Sequence, residues 1–271
     1  MTSCSTASAY RKTLTGKRFP DNAFRKTFTA WAALVLTTLV ALVLFLSTSA
    51  TASAHARPQV TTPQANARLD TPPAQIGITY DDPIDPTLSS MLLLDASGAP
   101  IPTTPAPTTG TMQAAVAPNE PLAPGPYTVA WTSLDASDGD QAQGFYTFVV
   151  NGGPVGIISG QAQAQTPTSG ADLVATLTVT AADDGGSLLR VDLNDARAVE
   201  RVRIRLSRPD LGEDLLETQR TSDGGWILNG NEVALPGAWH AIVVVRRTNI
   251  FDDAQAGFDF SIDPVTGAPA F

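Results

Sequence analysis

Two histidines and one cysteine occur in 271 residues, so the chemistry open to this chain is narrow. Cys4 alone supports neither a disulfide framework nor a thiolate zinc site, and two imidazoles cannot build a multi-histidine metal centre. The position of His55 gives it more weight than its type. It follows Ala52-Ser53-Ala54, a small-residue pattern of the kind cut when a secretory leader is removed. Cleavage after Ala54 makes His55 residue one, and an N-terminal histidine offers its α-amine and its imidazole Nδ1 to a single metal ion. Two such nitrogens suit Cu(II), which stands near the top of the divalent affinity order. Asp138 and Asp140 lie two apart in Ser-Asp-Gly-Asp, so an extended backbone turns both to one side. Carboxylates that close repel unless a cation or proton neutralises them. As an acid/base pair on an exposed turn they are poor candidates. His240 alternates with Ile242 and Val244 and reads as a packed or edge residue, because one imidazole without a partner makes no site. No Ser–His pairing, Gly-x-Ser-x-Gly elbow or phosphate-cradling loop is present, and no enzymatic activity is expected.

The elements around these residues are read from charge and pattern. Residues 1–30 carry six basic side chains against Asp21 alone, and residues 31–46 (WAALVLTTLVALVLFL) are almost wholly apolar. A basic region, an apolar run and a small-residue site describe a signal peptide over residues 1–54. An uncleaved anchor is the alternative, since the run approaches spanning length. Without the leader, 11 basic residues, all arginine, face 25 acidic ones, a formal charge of −14 compared with −9 for the whole chain. Such a chain is exported, periplasmic or extracellular, and has no basic face for nucleic acid. Short aromatic and β-branched stretches predict strands at 75–80, 90–94, 111–116, 126–131 and 144–150. Residues 152–170, rich in Gly, Gln and Ser, read as a flexible linker. A second series is predicted at 173–180, 187–193, 199–206, 215–218, 226–228, 239–246 and 257–262, with turns at Asp-Gly-Gly 184–186 and 223–225 and at Asn229-Gly230. The fold class is all-β: a sandwich or barrel over 55–151 joined to an immunoglobulin-like sandwich over 171–263, with 264–271 as a tail. Met91 and Met112 read as core filler. Arg246-Arg247 with Asp252-Asp253 reads as an ion cluster at a hairpin end.

His55-Ala56, Thr61-Thr62-Pro63, Ala67-Arg68-Leu69, Pro72-Pro73, residues 76–80 and Asp82-Pro83-Ile84-Asp85 resemble, in order and spacing, the bacterial CopC copper-binding domain. Leu94-Asp95-Ala96-Ser97-Gly98, residues 122–129 with Trp131, Ser137-Asp138-Gly139 and residues 144–149 continue the likeness. The resemblance implies a Greek-key β-barrel that holds one Cu(II) and serves copper resistance or homeostasis. It implies His55, Asp82 and Asp138 as ligands. Asp140 stands where the family has histidine, which exchanges a nitrogen for a harder carboxylate and should lower Cu(II) affinity. Loss of copper binding, with the domain kept as a cell-surface interaction module, is therefore the competing expectation. Two methionines are too few for the thioether Cu(I) segment of some members. Gly224-Gly225-Trp226, residues 235–239, residues 243–247, Phe251-Asp252-Asp253 and residues 258–260 resemble the YtkA-like extracytoplasmic domain of CopC–CopD fusions. That likeness implies a CopD-like membrane copper transporter as partner.

Overall fold

The computed structural model describes residues 56–150, 157–170 and 172–271, all within one compact unit, Ser53–Phe271. The expected leader, residues 1–54, and His55 lie outside the described residues. Every element described is a strand. No described helix is long and apolar enough to cross a membrane.

The first sandwich has two four-stranded sheets. One orders β1 (Pro58–Thr62), β3 (Ile76–Tyr80), β6 (Gln113–Pro118) and β5 (Thr103–Pro105). The other orders β2 (Ala67–Leu69), β8 (Gln141–Val150), β7 (Gly125–Leu134) and β4 (Ser90–Leu94). The β2–β8 pair is parallel and the rest are antiparallel. The sheets do not close on each other through hydrogen bonds, so the expected barrel is an open sandwich. Alternation explains how β3 is seated: Ile76, Ile78 and Tyr80 are buried, and the residues between are half-exposed. Tyr127 and Val129 of β7, with Tyr146, Phe148 and Val150 of β8, meet them from the opposite sheet.

The second sandwich has two five-stranded sheets. One orders β14 (Gln219–Arg220), β15 (Trp226–Gly230), β11 (Ser187–Leu193), β10 (Val174–Ala182) and β9 (Ile158–Pro167). Its partner orders β13 (Gly212–Glu217), β12 (Val199–Arg208), β16 (Gly237–Arg247), β17 (Ala254–Ile262) and β18 (Pro269–Ala270). In β17 buried Ala254, Ala256, Phe258, Phe260 and Ile262 alternate without a break with exposed residues. Two expectations are corrected here. Residues 158–167, taken as flexible linker, are strand β9: Ala162 and Ala164 turn inward, Gln161, Gln163 and Gln165 outward, and the whole strand pairs with β10. Alanine is too weakly apolar for this alternation to stand out against glutamine. The tail also folds back, with β18 on β17 and Phe271 against Phe258 and Phe260. Asn229-Gly230 ends β15 rather than forming a turn, whereas both Asp-Gly-Gly segments do turn the chain.

The two sandwiches share a core. From Gly144 to Val150 every residue of β8 is buried, so this strand is covered on both faces. Tyr146, Phe148 and Val150 fill the first core. Phe145 points the other way, into the second core, with its ring 5.5 Å from Trp239. The approach is close enough to require glycine. A Cβ on Gly144 would lie 2.7 Å from the Trp131 ring and 3.1 Å from the Glu213 carbonyl oxygen. Replacing Phe145 by Ala should cost about 3–5 kcal/mol of stability. Guanidinium denaturation followed by the fluorescence of Trp239 is the measurement; an unchanged midpoint would place the shared core elsewhere.

Candidate metal centre

At the end of the first sandwich where β3 stops and β7 turns into β8, three backbone segments are strapped together. Ala56 is wholly buried, and its carbonyl accepts the Ser133 hydroxyl at 2.8 Å. Arg57 exchanges two bonds with Asp81: its N–H donates to Oδ1 at 2.6 Å, and its carbonyl accepts the Asp81 N–H at 3.0 Å. The chain immediately after position 55 is thus held to both sheets, by a buried bond at Ala56 and by more exposed bonds at Arg57.

Residues 82–85 and 134–140 form the rim beside it. Ile84 bridges Asp135, the Asp85 N–H donates to the Leu134 carbonyl at 2.8 Å, and the Ala136 N–H donates to the Pro83 carbonyl at 2.9 Å. The turn closes on itself through the Asp135 N–H to the Asp140 carbonyl, 2.8 Å, and the Gly139 N–H to the Asp135 carbonyl, 3.0 Å. Gly139 has φ +79°, a left-handed conformation that glycine adopts without steric cost. Buried Asp135 organises the turn by accepting the Ser137 N–H at 2.7 Å and the Ser137 hydroxyl at 2.5 Å.

These straps bring the segment of Asp82 against the turn that carries Asp138 and Asp140. Asp82 is half-exposed, Asp138 is exposed and accepts the Asp140 N–H on Oδ1 at 3.0 Å, and Asp140 is half-buried. Among the described residues no group of three or more His, Cys, Asp or Glu is placed to hold a metal ion. His55, the fourth expected ligand, is outside them. Beneath Ala56 the floor is apolar and aromatic. Tyr80 packs edge-on to Trp131 at 6.1 Å, and the Tyr80 and Tyr146 hydroxyls are buried without hydrogen-bond partners. Burial holds both phenols above their ordinary range, so the floor stays neutral.

Asp81, Ser133 and Asp135 are the residues that sequence reasoning missed. Asp81 and Asp135 stand next to or near the carboxylates it selected, but the chain pattern does not say which of several neighbouring acids points into the fold. Met112 differs from expectation: it is 38 % exposed, and its carbonyl takes the Tyr80 N–H at 2.8 Å beside the same rim. Met91 is partly buried against the first core, as read. His240 has a partner after all, with Nδ1 2.6 Å from Asp259 Oδ1 across the β16–β17 pair. Arg246 pairs with Asp253 at 2.9 Å, whereas Arg247 donates to the Gly170 carbonyl at 3.0 Å.

Replacing Ser133 by Ala leaves the Ala56 carbonyl buried without its donor. A loss of about 1–3 kcal/mol is expected, with faster exchange of the Arg57 amide. Thermal unfolding together with amide exchange checks both.

Among solved structures, PcoC, a methionine-rich copper resistance protein from Escherichia coli, is 26 % identical, with 36 % of this chain and 99 % of that chain covered and a TM-score of 0.34. CopC from Methylosinus trichosporium OB3b is 23 % identical over 36 % of this chain and 94 % of that one, TM-score 0.34. The fibronectin(III)-like modules of Clostridium thermocellum CbhA are 15 % identical over 78 % and 90 %, TM-score 0.21. No curated protein matches the chain. Within the chain, residues 59–151, the first sandwich from β1 to the end of β8, match the family model of the CopC domain.

Proposed function

We propose that this is an exported, non-enzymatic copper-binding protein that takes Cu(II) at the strapped end of its first sandwich, for copper resistance or homeostasis. Cleavage after Ala54 frees the His55 amine and leaves its imidazole beside it. Asp82, Asp138 and Asp140 would complete the site with oxygen donors. The observation that supports this is the fastening of Ala56 and Arg57 to Ser133 and Asp81, beside the rim that carries those acids. The CopC match over residues 59–151 supports copper as the metal. A terminus anchored this way loses little freedom on binding, so a chelate of modest strength still orders its ion.

Three carboxylates around a diamine-like chelate make the site harder than an all-nitrogen one, and protons compete chiefly for its two nitrogens as the pH falls. We read the second sandwich as a YtkA-like domain, and a CopD-like membrane transporter as the recipient of buffered or delivered copper. The competing reading, a surface interaction module that has lost its metal, is favoured by Asp140 in the place where the resemblance calls for histidine.

Titration followed by electron paramagnetic resonance separates the two. A chain beginning at His55 should bind one Cu(II) with nitrogen couplings, and a variant carrying one extra residue before His55 should lose them. Asp140→His should tighten binding. Equal binding by the first two chains would overturn the chelate, and no binding by any of them would favour the interaction module.

A further inference from the structure

We propose that Glu232 is a proton-operated latch between the two sandwiches: protonated, its carboxyl locks the first sandwich to the second through Asn66; ionised, it becomes a buried anion and loosens the junction. The inference stands apart from the copper reading.

Glu232 follows β15 in the second sandwich and is 4 % exposed. Its Oε1 accepts the Asn66 side-chain N–H at 2.6 Å, from the loop between β1 and β2 of the first sandwich. The amide of Asn66 is fully engaged. Its Oδ1 accepts the Asn231 backbone N–H at 2.9 Å and the Thr147 hydroxyl of β8 at 3.1 Å. One side chain thereby ties two elements of its own sandwich to two consecutive residues of the other. Asn66 adopts φ +62°, a conformation that Asn tolerates better than most residues. The Ser187 hydroxyl of β11 donates to Glu232 Oε2 at 3.4 Å.

Among the described residues the charged group that acts on this carboxylate is another acid. Burial, the largest cause, raises its affinity for a proton, the bonds from its own backbone N–H, from Asn66 and from Ser187 each lower it by less, and the charge of Asp214 of β13 adds a further rise. Burial likewise raises Asp214. Arg68 of β2, an arginine of the junction, pairs with Asp184 at 3.0 Å. Thr147 of β8, Gly230 of β15 and Asn231 complete the surroundings without charge. The sign follows directly. A carboxyl whose proton is held more tightly in the closed junction than in the open one stabilises closure fully below its ordinary range. That contribution is lost as the pH rises through the ordinary range and up to its raised value.

The test follows protection of the Asn231 amide, which donates across the junction, from pH 4 to 8 after correction for intrinsic exchange. Protection should fall with rising pH, about tenfold for each pH unit by which the closed junction displaces Glu232's titration. Glu232→Gln keeps an acceptor for Asn66 and should give a flat profile. Asp214→Asn removes the facing charge and should make the fall smaller. A flat wild-type profile, or a Glu232→Gln profile that tracks the wild type, overturns the latch. If Glu232→Gln does not fold, the wild-type profile alone decides, and a flat one overturns the latch.

Discussion

The structure depends on β8 being buried on both faces. A strand in a two-layer sandwich normally buries alternate residues and shows the rest to water. From Gly144 to Val150 this one shows none. Its second face would be an exposed apolar stripe if the first sandwich stood alone, and Phe145 against Trp239 is the contact that removes that stripe from water. Burial of a phenylalanine side chain contributes about 1.5–3 kcal/mol, and at this position it acts on both domains at once. The two sandwiches are consequently neighbours through a shared core as well as through chain connectivity.

Polar contacts give that apolar junction its register. Apolar packing is non-directional, whereas Asn66 with Asn231 and Glu232, and Arg68 with Asp184, meet in one geometry only. The exposed pair Arg68–Asp184 adds little energy, of the order of 0–1 kcal/mol. The buried Asn66 network is different, because any slip leaves polar atoms unsatisfied away from water. The same logic holds at the far end of β7, where Ser133 and Asp81 capture the chain just after position 55. The buried carbonyl of Ala56 leaves this segment no alternative partner of equal strength.

Much of the fold was legible before any coordinates. The twelve predicted strands all exist, because runs such as IGITY and GFYTFVV carry the aromatic and β-branched content that sheets select. The strands that escaped notice, β1, β2, β5, β9, β14 and β18, are short or built from Ala, Gln, Thr and Pro. Their pairing partners specify them more than their own side chains do. At the candidate site, Asp82, Asp138 and Asp140 could be chosen from sequence. Asp81, Ser133 and Asp135 could not, since their part is to hold backbone groups 24 or more residues away or to close a local turn.

The sequence by itself determined the all-β class, the basic and apolar character of its first 46 residues, the acidic composition that follows, and the placing of one histidine directly after Ala-Ser-Ala. Period-two alternation states which side chains share a face. It does not state what covers that face. Tertiary structure alone decided that Phe145 belongs to the second core, that a glutamine-alanine segment closes a sheet edge, that Asn66 reaches Glu232, and that Ala56 is buried beside the acidic rim. Each is a contact between residues far apart in the chain, and such contacts are set by which surfaces meet when all the strands pack together.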